Sequence, residues 1–315
     1  MELGLFTEPQ LGGSYRRLVE LAQWAEDNGL DAFARSDHYL HGETTAHATD
    51  ALVSLAGVAS ETDSIRLITL VSPITFRHPA VMAKAATTID EISGGRFTLG
   101  VGTGWMESEH EAFGMELPAI GERFERLTEA LGYIRTVFDG GGTVDGEYYS
   151  LNAPSVSPAG SDDLKIVIGG SGKRRTPTLA GQFADEYNLF VTDGESFAQR
   201  VGVMREAAQR AGRNPDEILI SMAGPAWVYE DDAAHREALA ERGAKKDLSS
   251  DEYSAFLDER NVPHGPPERA SEAIRRMADL GVGRYYVQEF SSLEEVDLDR
   301  MDLVFTALKT ANREP

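Results

Sequence analysis

The feature that most constrains this chain is the regular alternation of short apolar runs with segments of helical periodicity. Eight apolar runs occur along the 315 residues, and a segment with helical spacing of apolar residues follows each of them. Alternating strands and helices are typical of βαβ units around a parallel sheet. Eight such units in one chain predict an α/β fold, a (β/α)₈ TIM barrel, and a doubly wound open sheet is the competing topology.

The predicted strands are mostly apolar, as expected when both faces of a strand are buried. They cover residues 3–6, 32–35, 65–71, 97–101, 164–168, 186–191, 217–229 and 284–288. The predicted helices cover residues 15–28, 50–60, 79–93, 120–138, 174–184, 196–211, 267–280 and 294–312. We interpret residues 1–315 as one barrel domain.

Two stretches interrupt this rhythm. Residues 140–163 begin with three consecutive glycines and contain Asp145-Gly146, a pair that favours a hairpin turn. Residues 231–267 are highly charged and predicted to be helical, with a rigid loop at 261–267. Insertions in a barrel commonly form a lid over the C-terminal face, and we expect this of both segments. The alternative is a packed surface excursion with no role.

Composition excludes several classes of function. The chain has 30 Lys and Arg against 52 Asp and Glu, a net charge of −22, which disfavours nucleic acids and anionic membranes as partners. It has no Cys, so disulfides, thiolate catalysis and Cys-ligated metals are excluded. No apolar stretch reaches the roughly 18 residues of a membrane span, and the N-terminal residues lack a secretory pattern. We therefore expect a cytoplasmic protein.

Active sites of barrels lie at the C-terminal ends of the strands. Asp37-His38 follow the second predicted strand, where His38 could move a proton near neutral pH and Asp37 could orient it. The alternative is a structural cap. His41 and His47 lie close by, so a metal-dependent hydrolase remains an alternative of another class. The remaining histidines lack ligand spacing, and we predict no metal.

Glycines follow the fourth and fifth predicted strands. Gly102-Thr103-Gly104-Trp105 offers close backbone approach to a flat ring, a hydroxyl group and a stacking face. Gly169-Gly170-Ser171-Gly172 is followed by three basic residues and a predicted helix, a combination that suits a phosphate. The alternative for the second segment is a flexible loop. Arg77, after the third strand, is interpreted as an ion-pair partner rather than a phosphate ligand.

Taken together, these segments resemble the luciferase-like family of flavin- and deazaflavin-dependent oxidoreductases. The resemblance rests on Asp37-His38 and on residues 72–79, 89–97, 100–105, 167–172 and 265–268. It implies a pocket for FMN or the deazaflavin coenzyme F420, with the phosphate at Gly169 to Gly172 and the ring near Leu70, Val71, Gly102 and Thr103. It also implies a non-proline cis peptide at Thr69, Leu70 or Val71.

The resemblance implies hydride transfer between F420 and a small organic substrate. His38 would transfer a proton, and Phe6 and Trp105 would line the substrate side. Sugar-phosphate dehydrogenases of the family carry Glu at the position of Trp105, so sugar phosphates are not expected. Alternatives are an FMN-dependent monooxygenase supplied by a separate reductase and a non-catalytic flavin-binding barrel. Many members form homodimers, and the oligomeric state is left open.

Overall fold

The computed structural model describes residues 1–41 and 47–311. Its centre is a closed barrel of eight parallel strands, each paired with the next, and the eighth pairs with the first. The strands are β1 Glu2–Thr7, β2 Ala32–Arg35, β3 Arg66–Thr69, β4 Phe97–Gly102, β5 Lys165–Gly169, β6 Glu186–Phe190, β7 Leu219–Gly224 and β8 Arg284–Glu289. The predicted barrel is confirmed, and the open sheet is excluded because β3 also pairs with β4.

Helices surround the barrel. They are α1 Tyr15–Asp27, α2 Ala51–Ser60, α3 Pro79–Ser93, α4 Glu107–Phe113, α5 Ile120–Phe138, α6 Arg175–Phe183, α7 Gly194–Arg210, α8 Asp232–Ala244, α9 Ser250–Glu259, α10 Pro267–Asp279 and α11 Leu298–Thr310. Short polar side chains define several of their starts: Ser14, Asp50 and Asp193 each accept a backbone N–H of the first turn. No helix among the described residues is long and apolar enough to cross a membrane.

The core lies between the barrel and the inner faces of the helices. Leu18, Leu21, Ala22 and Ala25 of α1 form one such face, and all four are fully buried. Burial of each large apolar side chain contributes about 1.5–3 kcal/mol. The spacing of apolar residues that predicted the helices is therefore also what packs them against the barrel. The C-terminal end of the barrel is left to the connecting loops.

Three sequence expectations need correction. The predicted strand 217–229 divides into a 3₁₀ turn, β7 and a separate short pair of Trp227–Val228 with His264–Gly265. Pro225 lies at the break, since proline has no N–H for the ladder. The predicted helix 294–312 begins only at Leu298, after a 3₁₀ turn and the cap Asp297, and residue 312 lies outside the described residues. The short helix α4 was not predicted.

Each of the two insertions has secondary structure of its own. Residues 140–163 contain an antiparallel pair of strands, Gly142–Asp145 and Ser150–Ala153, held on α5 by the carboxylate of Glu129. Residues 231–267 form α8 and α9, which share a small core of their own. Neither segment contributes a residue to the wall of the cavity described below. The lid role of both segments stays a prediction. The single-domain interpretation stays a prediction.

Candidate active site

A cavity of about 1020 Å³ opens at the C-terminal ends of the barrel strands. Almost every residue that the sequence singled out lies in its wall. These are Phe6, His38, Leu70, Val71, Gly102, Thr103, Trp105, Gly169, Gly170, Ser171 and Gly172. Asp37 is the one predicted site residue that is not part of the wall.

The wall beside β3 and β4 is formed by a backbone bulge. The Leu70–Val71 peptide bond is cis. The resemblance to the family implied a cis bond at Thr69, Leu70 or Val71, and this expectation is confirmed. The bulge explains the glycines of β4. A Cβ on Gly100 would lie 1.8 Å from the carbonyl oxygen of Thr69, and a Cβ on Gly102 would lie 2.8 Å from Val71 Cγ2. Only glycine leaves room for the bulge, which brings Leu70 and Val71 into the cavity wall.

The wall after β5 is a glycine-rich loop leading into α6. Gly170 has a φ of +146°, and a Cβ on Gly172 would lie 2.6 Å from Thr176 Oγ1, so the loop lies tightly against the helix. Arg174, at the N-cap of α6, gives the first turn no side-chain hydrogen bond. Backbone N–H groups at such a helix start, with the exposed Lys173 beside them, suit a phosphate.

His38 is held in the wall by a carboxylate from α4. Its Nδ1 lies 2.9 Å from Glu109 Oε1, and the other carboxylate oxygen accepts the backbone N–H of Tyr39 at 3.0 Å. The Glu109 side chain is only 1% exposed, whereas that of His38 is 16% exposed. No hydrogen bond to His38 Nε2 is found within the described part of the chain. The pair therefore fixes the ring and leaves one nitrogen for a ligand.

Asp37 does not perform the role predicted for it. Its fully buried carboxylate accepts the Ser72 hydroxyl at 2.7 Å and two N–H groups of Arg77 at 2.5 and 3.2 Å. These bonds tie the end of β2 to the bulge. Its carboxylate makes no hydrogen bond to His38, so the prediction that it orients the imidazole is wrong. Glu109 occupies that position, through a contact between residues 71 apart in sequence.

The predicted ion pair of Arg77 is confirmed, and Arg77 has more partners than the sequence suggested. Arg77 also donates to Asp50 and to the hydroxyl of Tyr39, which in turn donates to Asp50 at 2.8 Å. Although burial opposes it, the carboxylates of Asp37 and Asp50 raise the pKa of Arg77 above its usual value. Arg77 is therefore a structural cation behind the wall, and it is not directed at a phosphate.

Several polar wall residues were missed by the sequence reasoning. Glu8, Gln10 and Ser36 follow β1 and β2, and Gln288 lies on β8. The signal that could have found them is their position: Glu8 is the first residue after β1, and Gln288 lies near the C-terminal end of β8. Within residues 1–41 and 47–311, no three His, Asp or Glu side chains come together as a metal site.

Comparisons with known proteins agree with this barrel and its cavity. The sequence profile of the luciferase-like monooxygenase family matches residues 1–284. Pyrimidine monooxygenase RutA from Pseudomonas savastanoi pv. phaseolicola is 30% identical over 284 residues, which cover 86% of this chain and 75% of RutA. F420-dependent glucose-6-phosphate dehydrogenase from Nakamurella multipartita is 35% identical over 209 residues, 64% of this chain and 60% of that protein.

A structural comparison extends over the whole fold. An F420-dependent secondary alcohol dehydrogenase, solved with an F420–acetone adduct, superposes with a TM-score of 0.81 and 20% identity and covers 99% of both chains. The barrel fold, together with the family profile and these sequence relatives, defines a (β/α)₈-barrel enzyme of oxidoreductase or monooxygenase type. The chain belongs to the luciferase-like monooxygenase family, whose members use F420 or reduced FMN.

Proposed function

We propose that this protein transfers a hydride between coenzyme F420 and a small organic substrate. The observation that carries the proposal is the position of His38, held by Glu109 in the wall of the same cavity that contains the bulge and the glycine-rich loop. Three elements of a deazaflavin site thus face one space: a phosphate cradle, a flat surface for a ring and a residue that exchanges protons.

The residues present fit such a cofactor. The uncapped start of α6 and the loop from Gly169 to Gly172 would hold the phosphate, because they offer backbone N–H groups and no obstructing side chain. The cis bulge at Leu70–Val71 would support one face of the ring, with Gly102 and Thr103 along its edge. The remaining face would be open to substrate beside Phe6 and Trp105.

When bound, the deazaflavin supplies the carbon that gives or accepts the hydride. His38 Nε2 would exchange the proton that accompanies oxidation or reduction of the substrate. Glu109 would keep the imidazole ring in one orientation through its bond to Nδ1. The walls contributed by Phe6 and Trp105 would exclude water from the reacting groups. Trp105, whose ring centroid is 5.7 Å from that of His38, stands where the sugar-phosphate dehydrogenases of the family carry Glu, which argues against a sugar-phosphate substrate.

A comparison of cofactor affinities tests the proposal. Titration of the purified protein with oxidised F420 and with FMN, followed by cofactor fluorescence, should give a dissociation constant for F420 of about 10 μM or lower. FMN should bind about tenfold more weakly or worse. Tight FMN binding without F420 binding would contradict the assignment, while absence of binding by either would contradict the site itself.

A second candidate is an FMN-dependent monooxygenase. It is favoured by the similarity to RutA, which extends over 86% of this chain. In that case a separate reductase would supply reduced FMN, and the protein would consume oxygen when reduced FMN and substrate are added together. An oxygen electrode distinguishes the two candidates, because hydride transfer through F420 consumes no oxygen. Whether the enzyme is a homodimer can be tested by light scattering.

A further inference from the structure

A polar cluster in the cavity wall has no part in the function proposed above. Glu8 follows β1, Gln10 lies in the 3₁₀ turn Pro9–Leu11, and Gln288 lies on β8, directly beside Phe6 in the strand register. All three line the cavity and are at most 8% exposed. We call Glu8, Gln10 and Gln288 the acceptor wall.

The acceptor wall has unused capacity to accept hydrogen bonds. Gln288 Nε2 donates to Glu8 Oε1 and Gln10 Nε2 donates to Glu8 Oε2, both at 2.5 Å. The Ser36 hydroxyl donates a hydrogen bond to the side-chain carbonyl oxygen of Gln10 at 2.7 Å. An ionised carboxylate has about four acceptor positions, and these bonds use two of them. The side-chain carbonyl of Gln288 has no donor among the residues that the structure describes.

No ion pair of Glu8 is found within residues 1–41 and 47–311, although its carboxylate interacts electrostatically with the buried Arg35. The fully buried Arg35 donates its hydrogen bonds elsewhere, to Thr49, Ser54 and the carbonyl of Ser36. A nearly buried carboxylate bonded only to neutral amides is costly, and further donors would lower that cost. An anionic group placed here would be repelled, whereas an N–H group would be attracted.

The position of the wall assigns it to substrate rather than to the phosphate end of the cofactor. The acceptor wall is built on β8 and β1, and the glycine-rich loop follows β5, which is three strands from β8 and four from β1 around the eight-stranded barrel. The two therefore lie on opposite sides of the cavity. Between them, the mouth is lined by three exposed aromatic side chains, Trp105, Phe190 and Phe290. These suit the apolar part of a ligand.

We propose that the acceptor wall determines substrate specificity and selects an uncharged, largely apolar molecule that presents an amide or imide N–H to Glu8. Carboxylates of the same shape are rejected. This inference rests on the proposed function in one respect, since it takes the cofactor to occupy the side of the bulge and the glycine-rich loop.

Matched probes that differ in one group test the inference by titration calorimetry. Benzamide should bind about tenfold more tightly than benzoate, and phthalimide about tenfold more tightly than N-methylphthalimide, because a hydrogen bond to a charged group is worth that factor. In Glu8→Gln the preference for benzamide over benzoate should fall to about threefold or less. Glu237→Gln, at an exposed position on α8, is the control and should keep the full preference.

The other outcomes are equally distinct. Equal binding of both members of each pair by the unaltered protein would overturn the inference. So would a Glu8→Gln variant that loses affinity for F420 or FMN but keeps the preferences among probes, because the wall would then contact the cofactor. Gln288→Leu, which removes one donor to Glu8, provides a second variant if Glu8→Gln fails to fold. Probe selectivity without binding of either cofactor would support the acceptor wall and contradict the proposed function.

Discussion

The contact between β4 and the bulge allows a prediction whose size follows from the geometry. Gly102→Ala would place a methyl carbon 2.8 Å from Val71 Cγ2, while the next atom, the carbonyl oxygen of Gly169, would be 3.8 Å away. Carbon atoms in contact are normally about 3.5–4.0 Å apart, so an overlap of roughly 1 Å must be relieved. Val71 is the single obstacle, and overpacking of this kind costs about 1–3 kcal/mol.

The free energy of unfolding, measured by guanidinium titration with tryptophan fluorescence, should therefore fall by about 1–3 kcal/mol in Gly102→Ala. Val71→Ala alone should cost about 1 kcal/mol through lost contacts. The double variant should lose less stability than the two single variants together, by about 1 kcal/mol or more, because the smaller side chain at position 71 removes the overlap. Because the overlap displaces the bulge, Gly102→Ala should also weaken cofactor binding, and the double variant should restore part of it.

A matched glycine substitution provides the control. Gly132 lies inside α5 with nothing within 4 Å of its would-be Cβ, so Gly132→Ala should stabilise the protein by about 0.5–1 kcal/mol. The reasoning is refuted if Gly102→Ala leaves stability within about 0.5 kcal/mol of the unaltered protein, or if the effects of Gly102→Ala and Val71→Ala simply add.

The remaining predictions concern the imidazole in the wall and a buried histidine pair. Glu109→Gln should lower kcat about 10- to 100-fold and leave the dissociation constant of the cofactor within about twofold, because proton transfer needs a fixed ring and cofactor binding does not. The control Glu107→Gln, at an exposed position on the same helix, should change neither quantity. A Glu109→Gln variant that changes only the cofactor affinity would contradict the assignment. Burial lowers the pKa of His264, which contacts His235 at 3.0 Å, from 6.5 to about 4. The unfolded chain therefore binds more protons in this window, and urea titrations should show stability falling as the pH drops from 6.5 towards about 4. His264→Gln should flatten this dependence, and an unchanged slope would show that other groups cause it.

Elements defined by local signals were predicted closely. Helices α3 and α5 begin and end where the sequence placed them. Both rest on apolar periodicity, and α3 also has a proline in its first turn and Gly94 at its end, signals that act within a few residues. The glycine segments after β4 and β5 and the position of the cis bond also followed from short motifs and their resemblance to a family. These signals were sufficient to predict the barrel and the parts of the cavity wall that follow β3, β4 and β5.

The partners of the functional side chains could not be predicted in this way. Asp37 directly precedes His38, yet it bonds to Arg77 and Ser72, whereas His38 is held by Glu109.

The sequence by itself determined the alternation of strands and helices, the glycine-rich ends of two strands and the absence of thiol chemistry. Only the tertiary structure decided which acid supports His38 and brought Glu8 against Gln288, 280 residues further along the chain. The physical reason is the distance along the chain over which each kind of interaction acts. Capping and periodicity act over a few residues, while side-chain pairing across the cavity depends on how the closed barrel sets the ends of β1 and β8 side by side.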